Sequence, residues 1–307
     1  ETRATYYERY RLADVFAPVK RAPVRVAGQL TAIEGVSAVE LRVIGGALID
    51  VLSFDLPVQA QAVSLPDLRT PRLNAVFLTD GRMIDSDQSN EILLLKAFAN
   101  AHDLRPGDHI TATMNGARRS FQIVGLAQAP EFLYTTAPGE LVPDDARFGV
   151  IWMSRSALAA AYDMDGAFNE ALLSLSRGAN EAAVLDAVDR ILDPYGGTGA
   201  YPLADQASNQ LVSEEIGGLE AAAVGLPPIF LAVAAFLLYI VINRMVQSER
   251  EEIGLMKAFG YTNGEVGAHY FKLVLAIAIG GALAGCLMGI AGGRALIQVY
   301  VVYFKFP

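Results

Sequence analysis

MVQSEREEIGLMKAFGYTNGEV, residues 245–266, is a charged interruption between two long apolar runs. Residues 221–242 contain no charge, and neither do residues 273–293. Each run is close to the roughly 20 residues a helix needs to cross the hydrocarbon of a bilayer. Soluble helices rarely sustain such runs without a polar face. The stretch therefore predicts two membrane-spanning helices and a short connector, but the connector is more elaborate than a turn requires. Ser248-Glu249-Arg250-Glu251 fits a capping box with Ser248 at the N-cap, and Thr262 to Glu265 fits a second. Between them Gly260 suits a helix C-terminus. These signals predict a short helix over 249–259, with Ile253, Met256 and Phe259 on one side, Leu255 beside them, and Glu249, Arg250 and Glu252 supplying charge elsewhere. An apolar patch framed by charge suits a groove on a partner. A helix lying flat in the membrane interface is the other use, and its acidic residues would be repelled by anionic lipid.

The whole chain has 307 residues, is 53% hydrophobic and has a mean hydropathy of +0.33, high for a soluble protein and low for one that is all membrane. Residues 1–220 hold 29 of the 33 acidic side chains and 18 of the 24 basic ones. That acidic balance opposes nucleic-acid binding, which needs basic patches for phosphate contacts. The one cysteine, Cys286, lies in the second apolar run, so residues 1–220 cannot form disulfides.

Outward from the connector, 205–222 is polar and helix-compatible, and Pro227-Pro228 either opens the first span or kinks a helix arriving from upstream. In the N-terminal part, Val26, Leu30 and Ile33 repeat at helical spacing before Gly35. "VSAVELRV" alternates as a half-buried strand, with Val39, Leu41 and Val43 on one face. "ALIDVLSF" and "PVQAQAVSL" read as further strands. A β-rich insert runs over about 71–129, including a hairpin turning at Asn115-Gly116. After a Pro- and acid-rich loop come strand "FGVIWM", a helix capped by Ser154, strand "NEALLSL" and a helix capped by Asn180. This is a mixed α/β (α+β) domain joined to transmembrane α-helices. Tyr6, Tyr7 and Tyr10 near the start, and Tyr300, Tyr303, Phe304 and Phe306 beside Lys305 near the end, suit either a membrane interface or an aromatic core cluster.

"SEREEIGLMKAFGYTNGEV" resembles the signature of the FtsX-like ABC transporter permease family, R-x-x-E-I-G-x-L-K-A-x-G. Arg250, Ile253, Gly254, Lys257, Ala258 and Gly260 match; Glu251 and Glu252 cover the acidic position, and Met256 replaces the leucine. Residues 81–134 are similar to the MacB-type periplasmic core domain, with Gly81-Arg82, Asn90-Glu91, Gly107-Asp108 and Asn115-Gly116 in the places of its motifs. The resemblance implies a periplasmic domain over 1–220, spans at 221–246 and 263–294, a cytoplasmic coupling segment at 247–262, and the start of a further extracytoplasmic segment at 295–307. It implies a segment of a longer, multi-pass permease in the bacterial inner membrane. Arg244, Arg250, Lys257 and Lys272 bracket the connector, which favours the cytoplasm for it. Arg294 votes mildly the other way.

What the resemblance implies for function is a permease subunit coupling ATP hydrolysis by a separate ABC ATPase to motion of a periplasmic domain. The coupling helix would then use Arg250, Glu251, Glu252, Ile253, Gly254, Met256, Lys257, Phe259 and Gly260. The partners would be that ATPase, a second permease copy or module, and a periplasmic or outer-membrane protein. A signalling scaffold of the same shape, regulating a cell-wall hydrolase, is the alternative. Gly281, Gly285, Gly289 and Gly293 recur every fourth residue, a groove where another helix can approach closely. No phosphate-cradling G-x-x-x-x-G-K-[ST] stretch is present, so ATP belongs to the separate subunit. His102, His109 and His269 lack metal-ligand spacing. Asp163 with Asp165 and Asp144 with Asp145 read as turns, and no catalytic, cofactor or metal residues are expected.

Overall fold

In the computed structural model, residues 2–51, 57–135 and 144–303 are described. The elements run α1 (Thr2–Arg9), β1 (Val15–Pro23), α2 (Ala27–Thr31), β2 (Val36–Arg42), β3 (Ile44–Asp50), β4 (Val58–Leu65), β5 (Phe77–Gly81), β6 (Glu91–Leu95) and α3 (Lys96–Ala101). Then follow β7 (His109–Met114), β8 (Ala117–Gln128), β9 (Phe148–Ser154), α4 (Arg155–Ala161), β10 (Ala167–Leu175), α5 (Glu181–Leu192), β11 (Tyr201–Pro202), α6 (Ala207–Ser248), α7 (Arg250–Ala258) and α8 (Asn263–Tyr303). They form two units, Glu1–Ser213 and Glu214–Pro307. The first is mixed α/β; the second is helical.

The first unit contains two sheets. The smaller has strand order β11-β1-β10-β2. Helices α2 and α5 cover one face, where Leu30, Val184, Val188 and Leu192 meet Val15, Val39, Leu41, Phe168 and Leu173. The larger sheet runs β5-β8-β6-β9-β4-β3-β7, and the β7–β8 hairpin closes it on itself. Closure pairs the strands of the ring on both sides, and among the described strands of this sheet only β5, held by β8 alone, keeps a free edge. Its core holds Trp152, Phe98, Ile49, Ile92, Ile123 and Val150.

Local signals place most of these elements. Asn115 (φ 48°) and Gly116 (φ 76°) supply the two positive φ angles of a type I′ turn between β7 and β8. Ser154 Oγ accepts from Ala157 N at 3.3 Å, and Asn180 Oδ1 from Ala183 N at 3.2 Å. The expected β-rich stretch at 71–129 supplies β5 to β8, but their sheet also takes β3, β4 and β9. The parallel β4–β9 pairing joins strands far apart in sequence, which no local pattern announces. The third strand's end at 52–56 and the Pro-rich loop at 136–143 lie outside the described residues. The tyrosines near the start form an aromatic cluster: Tyr6 is buried, Tyr6 and Tyr10 rings lie 4.9 Å apart, and Tyr10 meets Phe77 edge-on at 5.7 Å.

The motif residues of 81–116 turn out to fasten the large sheet. Arg82 grips the buried Glu91 carboxylate with both guanidinium nitrogens, and Asp85 N donates to the same group at 2.9 Å. Gly81 has φ 78°, and a Cβ there would lie 2.3 Å from the Val124 carbonyl oxygen. Asp108 accepts from Arg105 N at 2.8 Å.

A buried polar cluster lies on the face of the small sheet opposite its helices. Arg42 donates to both oxygens of Glu131 at 2.6 and 2.7 Å, and through Nε to Glu170. Asn74 Nδ2 donates to Glu131 at 2.8 Å, and Gln206 Nε2 donates to the Glu131 carbonyl at 3.0 Å, just before α6 begins. Beside it, buried Glu40 accepts from both Arg69 nitrogens and from Arg72 N. So β2 is not half-buried: Glu40 and Arg42 are as covered as Val39 and Leu41. Burial pushes the Glu170 carboxyl above the usual carboxylate range; Arg42 opposes the shift and Glu131 adds to it. Burial also works against the Arg42 charge, but the two carboxylates outweigh it and hold the guanidinium protonated.

A folded pKa above the unfolded one means that Glu170 favours the fold most below the ordinary glutamate range, and that this contribution is lost as pH rises through the folded pKa. Wild type should therefore gain stability relative to Glu170→Gln as pH falls from neutral toward the ordinary glutamate pKa. Urea unfolding followed by the single tryptophan, Trp152, measures this; a difference that stays flat across the window contradicts it.

Candidate functional site: the α6–α7–α8 connector

α6 is one continuous helix that contains Pro227 and Pro228, so the prolines neither open nor end it. They remove two amide donors from its ladder. α6 and the stretch Asn263–Gln298 are both long and apolar enough to cross a membrane, and their apolar side chains face outward: Phe230, Leu231 and Leu287 are each about two-thirds exposed.

The break between α6 and α7 falls one residue later than the sequence suggests. Ser248 is the last residue of α6, and Glu249 is the N-cap, without a side-chain cap bond. The Glu249 carboxylate instead accepts from the Tyr270 hydroxyl at 2.5 Å, which ties the start of α7 to α8. Glu251 and Glu252 in the first turn and Lys257 in the last complement the helix dipole. α7 ends in a Schellman motif: Gly260 N donates to Lys257 O at 3.0 Å and Tyr261 N to Met256 O at 3.2 Å, with Gly260 at φ 95°. The second capping box forms as expected. Thr262 N donates to Glu265 at 2.8 Å, and Glu265 N donates to Thr262 Oγ1 at 3.3 Å.

The apolar residues of α7 divide between two sides. Ile253 and Met256 are half-buried, on an element that contacts α8, where Val266 and Tyr270 are buried. Leu255 and Phe259, four residues apart on one face, are 62% and 77% exposed. The single apolar side expected for Ile253, Met256 and Phe259 is thus split, because Ile253 and Met256 are taken up by packing within the connector. Gly254 has no atom within 4 Å of a Cβ position, so it leaves a flat spot on the exposed side. Arg250, Glu251, Glu252, Lys257 and Gly260 are exposed around it. The outward role of Leu255 was missed; its i,i+4 spacing from Phe259 was the available signal. Gly281, Gly285, Gly289 and Gly293 lie along α8 with open space over each.

The other polar candidates are structural. His102 Nε2 lies 2.9 Å from the Ala146 carbonyl, Asp144 accepts from Ala146 N at 2.9 Å and pairs with Arg147, and Asp163 occupies a positive-φ turn. Among the described residues no three His, Cys, Asp or Glu side chains converge on a metal position.

Residues 225–307, which contain the connector and α8, match the family model described as FtsX-like permease C-terminal. This part of the chain is similar to the C-terminal domain of FtsX-like permeases. The matched stretch carries α7 between two long helices. No curated protein matches the chain by sequence. The periplasmic region of MacB from Actinobacillus actinomycetemcomitans is similar at 10% identity, over 71% of this chain and 98% of that one, with a TM-score of 0.41. The extracellular domain of the noncanonic ABC-type transporter YknZ from Gram-positive bacteria is similar at 10% identity, over 62% and 98%, with a TM-score of 0.39. The assignment of the first unit as mixed α/β rests on its own sheet topology.

Proposed function

We propose that this chain is the permease subunit of an ABC transporter and that α7 is the element on which a separate ATPase subunit docks. The observation that carries the reading is the exposure of Leu255 and Phe259 on a short helix capped at its far end and flanked by two bilayer-length helices. In this reading, 221–246 and 263–294 span the bacterial inner membrane within a multi-pass protein. The connector 247–262 is cytoplasmic, and residues 1–220 are periplasmic. Burial of Leu255 and Phe259 on the ATPase contributes roughly 1.5–3 kcal/mol each. Gly254 lets the two surfaces approach closely, and Arg250, Glu251, Glu252 and Lys257 set the register of the contact. Ile253 and Met256 position α7 on α8. ATP is bound and hydrolysed by the partner, so this chain holds no catalytic residue of its own. Motion of α7 passes along α6 to the periplasmic unit. The glycines at 281, 285, 289 and 293 receive a helix of a second permease copy or module.

Sidedness tests the reading. Single cysteines at Asn115 and at Phe259, in a Cys286→Ser background, are labelled with a membrane-impermeant maleimide on intact spheroplasts. The cysteine at 115 should react at once and that at 259 only after permeabilisation; the reverse pattern would overturn the topology.

A further inference from the structure

A cleft of about 770 Å³ opens between the two sheets of the first unit. The outer faces of β3 and β4 form one wall, and β1 with β10 the other. Its floor is Gly46, which is exposed and has no atom within 4 Å of a Cβ position. That floor is held in place. The Tyr162 hydroxyl donates to the Gly46 carbonyl at 2.6 Å, and the Asn169 amide engages both backbone groups of Ile44 at 2.7 and 2.6 Å. Leu48, 42% exposed, lies across the ladder from Gln59, and Gly46 lies across from Gln61. Gln59 and Gln61 share the outer face of β4, and neither side-chain amide has a partner among the described residues. We infer that this cleft binds an extended stretch of polypeptide.

The spacing of the free groups selects that ligand. Side chains two residues apart on a strand stand about 7 Å apart, the interval at which an extended peptide presents amides on one side. Each glutamine offers a carbonyl acceptor and two N–H donors, which suits the N–H and C=O groups of such a chain. The hole over Gly46 takes a small apolar side chain and Leu48 packs against the next. Lys20 also lines the cleft and is exposed, so a carboxylate on the ligand would find a cation beside it, whereas Glu170, at the cleft's edge, is already engaged by Arg42. An acyl chain would fit the apolar wall but would strip water from both amides without replacing it. The inference concerns the first unit only and does not depend on the docking role of α7, so either can fail alone.

The test uses the full chain in lipid nanodiscs and a fluorescein-labelled, blocked heptapeptide of alternating threonine and valine, read by fluorescence anisotropy. Wild type should bind it saturably. Gly46→Phe, which fills the floor, should abolish binding while Trp152 still reports an unchanged urea midpoint. Gln59→Leu with Gln61→Leu should weaken binding roughly tenfold. If Gly46→Phe disturbs folding, the glutamine pair decides alone. No saturable binding by wild type overturns the inference. So does undiminished binding by the glutamine double variant, or by a folded Gly46→Phe. A site that takes lauric acid but not the peptide is an acyl site, and that result overturns it too.

Discussion

Replacing Arg42 by methionine is expected to destabilise the first unit by about 3–5 kcal/mol, a large part of the roughly 5–15 kcal/mol that holds a domain together. Arg42 is 6% exposed and serves two carboxylates at once, Glu131 through both terminal nitrogens and Glu170 through Nε. Methionine fills similar volume but leaves both acids buried without a cation. The loss is therefore electrostatic rather than a cavity. Arg42→Lys should fall between, since one ammonium keeps the charge but cannot reproduce the three-bond fork. The methionine variant's deficit should shrink as pH falls toward the ordinary glutamate range, because protonating Glu170, whose pKa burial already raises, relieves part of the unpaired charge. Urea unfolding of wild type and both variants, followed by Trp152, measures all three points. A methionine variant within about 0.5 kcal/mol of wild type would mean that the cluster contributes no net stability.

Phe259→Asp is expected to lower permease-dependent ATP hydrolysis by at least about tenfold while leaving the connector folded. The lost apolar burial alone corresponds to roughly 1.5–3 kcal/mol, and a carboxylate pressed into an apolar contact adds to it. The residue is 77% exposed and the Schellman bonds at Gly260 use only main-chain atoms, so the substitution leaves the end of α7 intact. Leu255→Asp should act the same way. Ile253→Asp should behave differently. Ile253 is half-buried, so its replacement should loosen α7 and raise amide exchange over 250–258 as well as reducing activity. Equal exchange in the Ile253 and Phe259 variants would contradict the division of α7 into a packing side and a docking side.

What the sequence made legible was what is local. The Asn115-Gly116 turn, the caps at Ser154, Asn180 and Thr262, and the αL residue Gly260 all depend on neighbours within a few positions, and all appear where the residues suggest. The two apolar helices were equally plain, because length and the absence of charge need no tertiary context. The Arg42 cluster was hidden because its members come from β2, the turn after β8, and β10. Alternation in "VSAVELRV" marks Glu40 and Arg42 as outward, and only the packing of the large sheet against that face buries them. The parallel β4–β9 pairing of the large sheet was hidden for the same reason, since it joins strands separated by more than a third of the first unit. In the connector, the sequence located the helix but not its orientation. Tyr270 holds Glu249 from 21 residues away, and that bond helps decide which side of α7 stays free.

The most direct measurement is the affinity of the cognate ATPase for the full-length permease in nanodiscs, determined by microscale thermophoresis for wild type, Phe259→Asp and the surface control Glu181→Gln on α5. Wild type and the control should bind alike, and Phe259→Asp should bind at least about tenfold more weakly. Equal affinity for all three would mean that α7 is a surface helix and that the ATPase is engaged elsewhere.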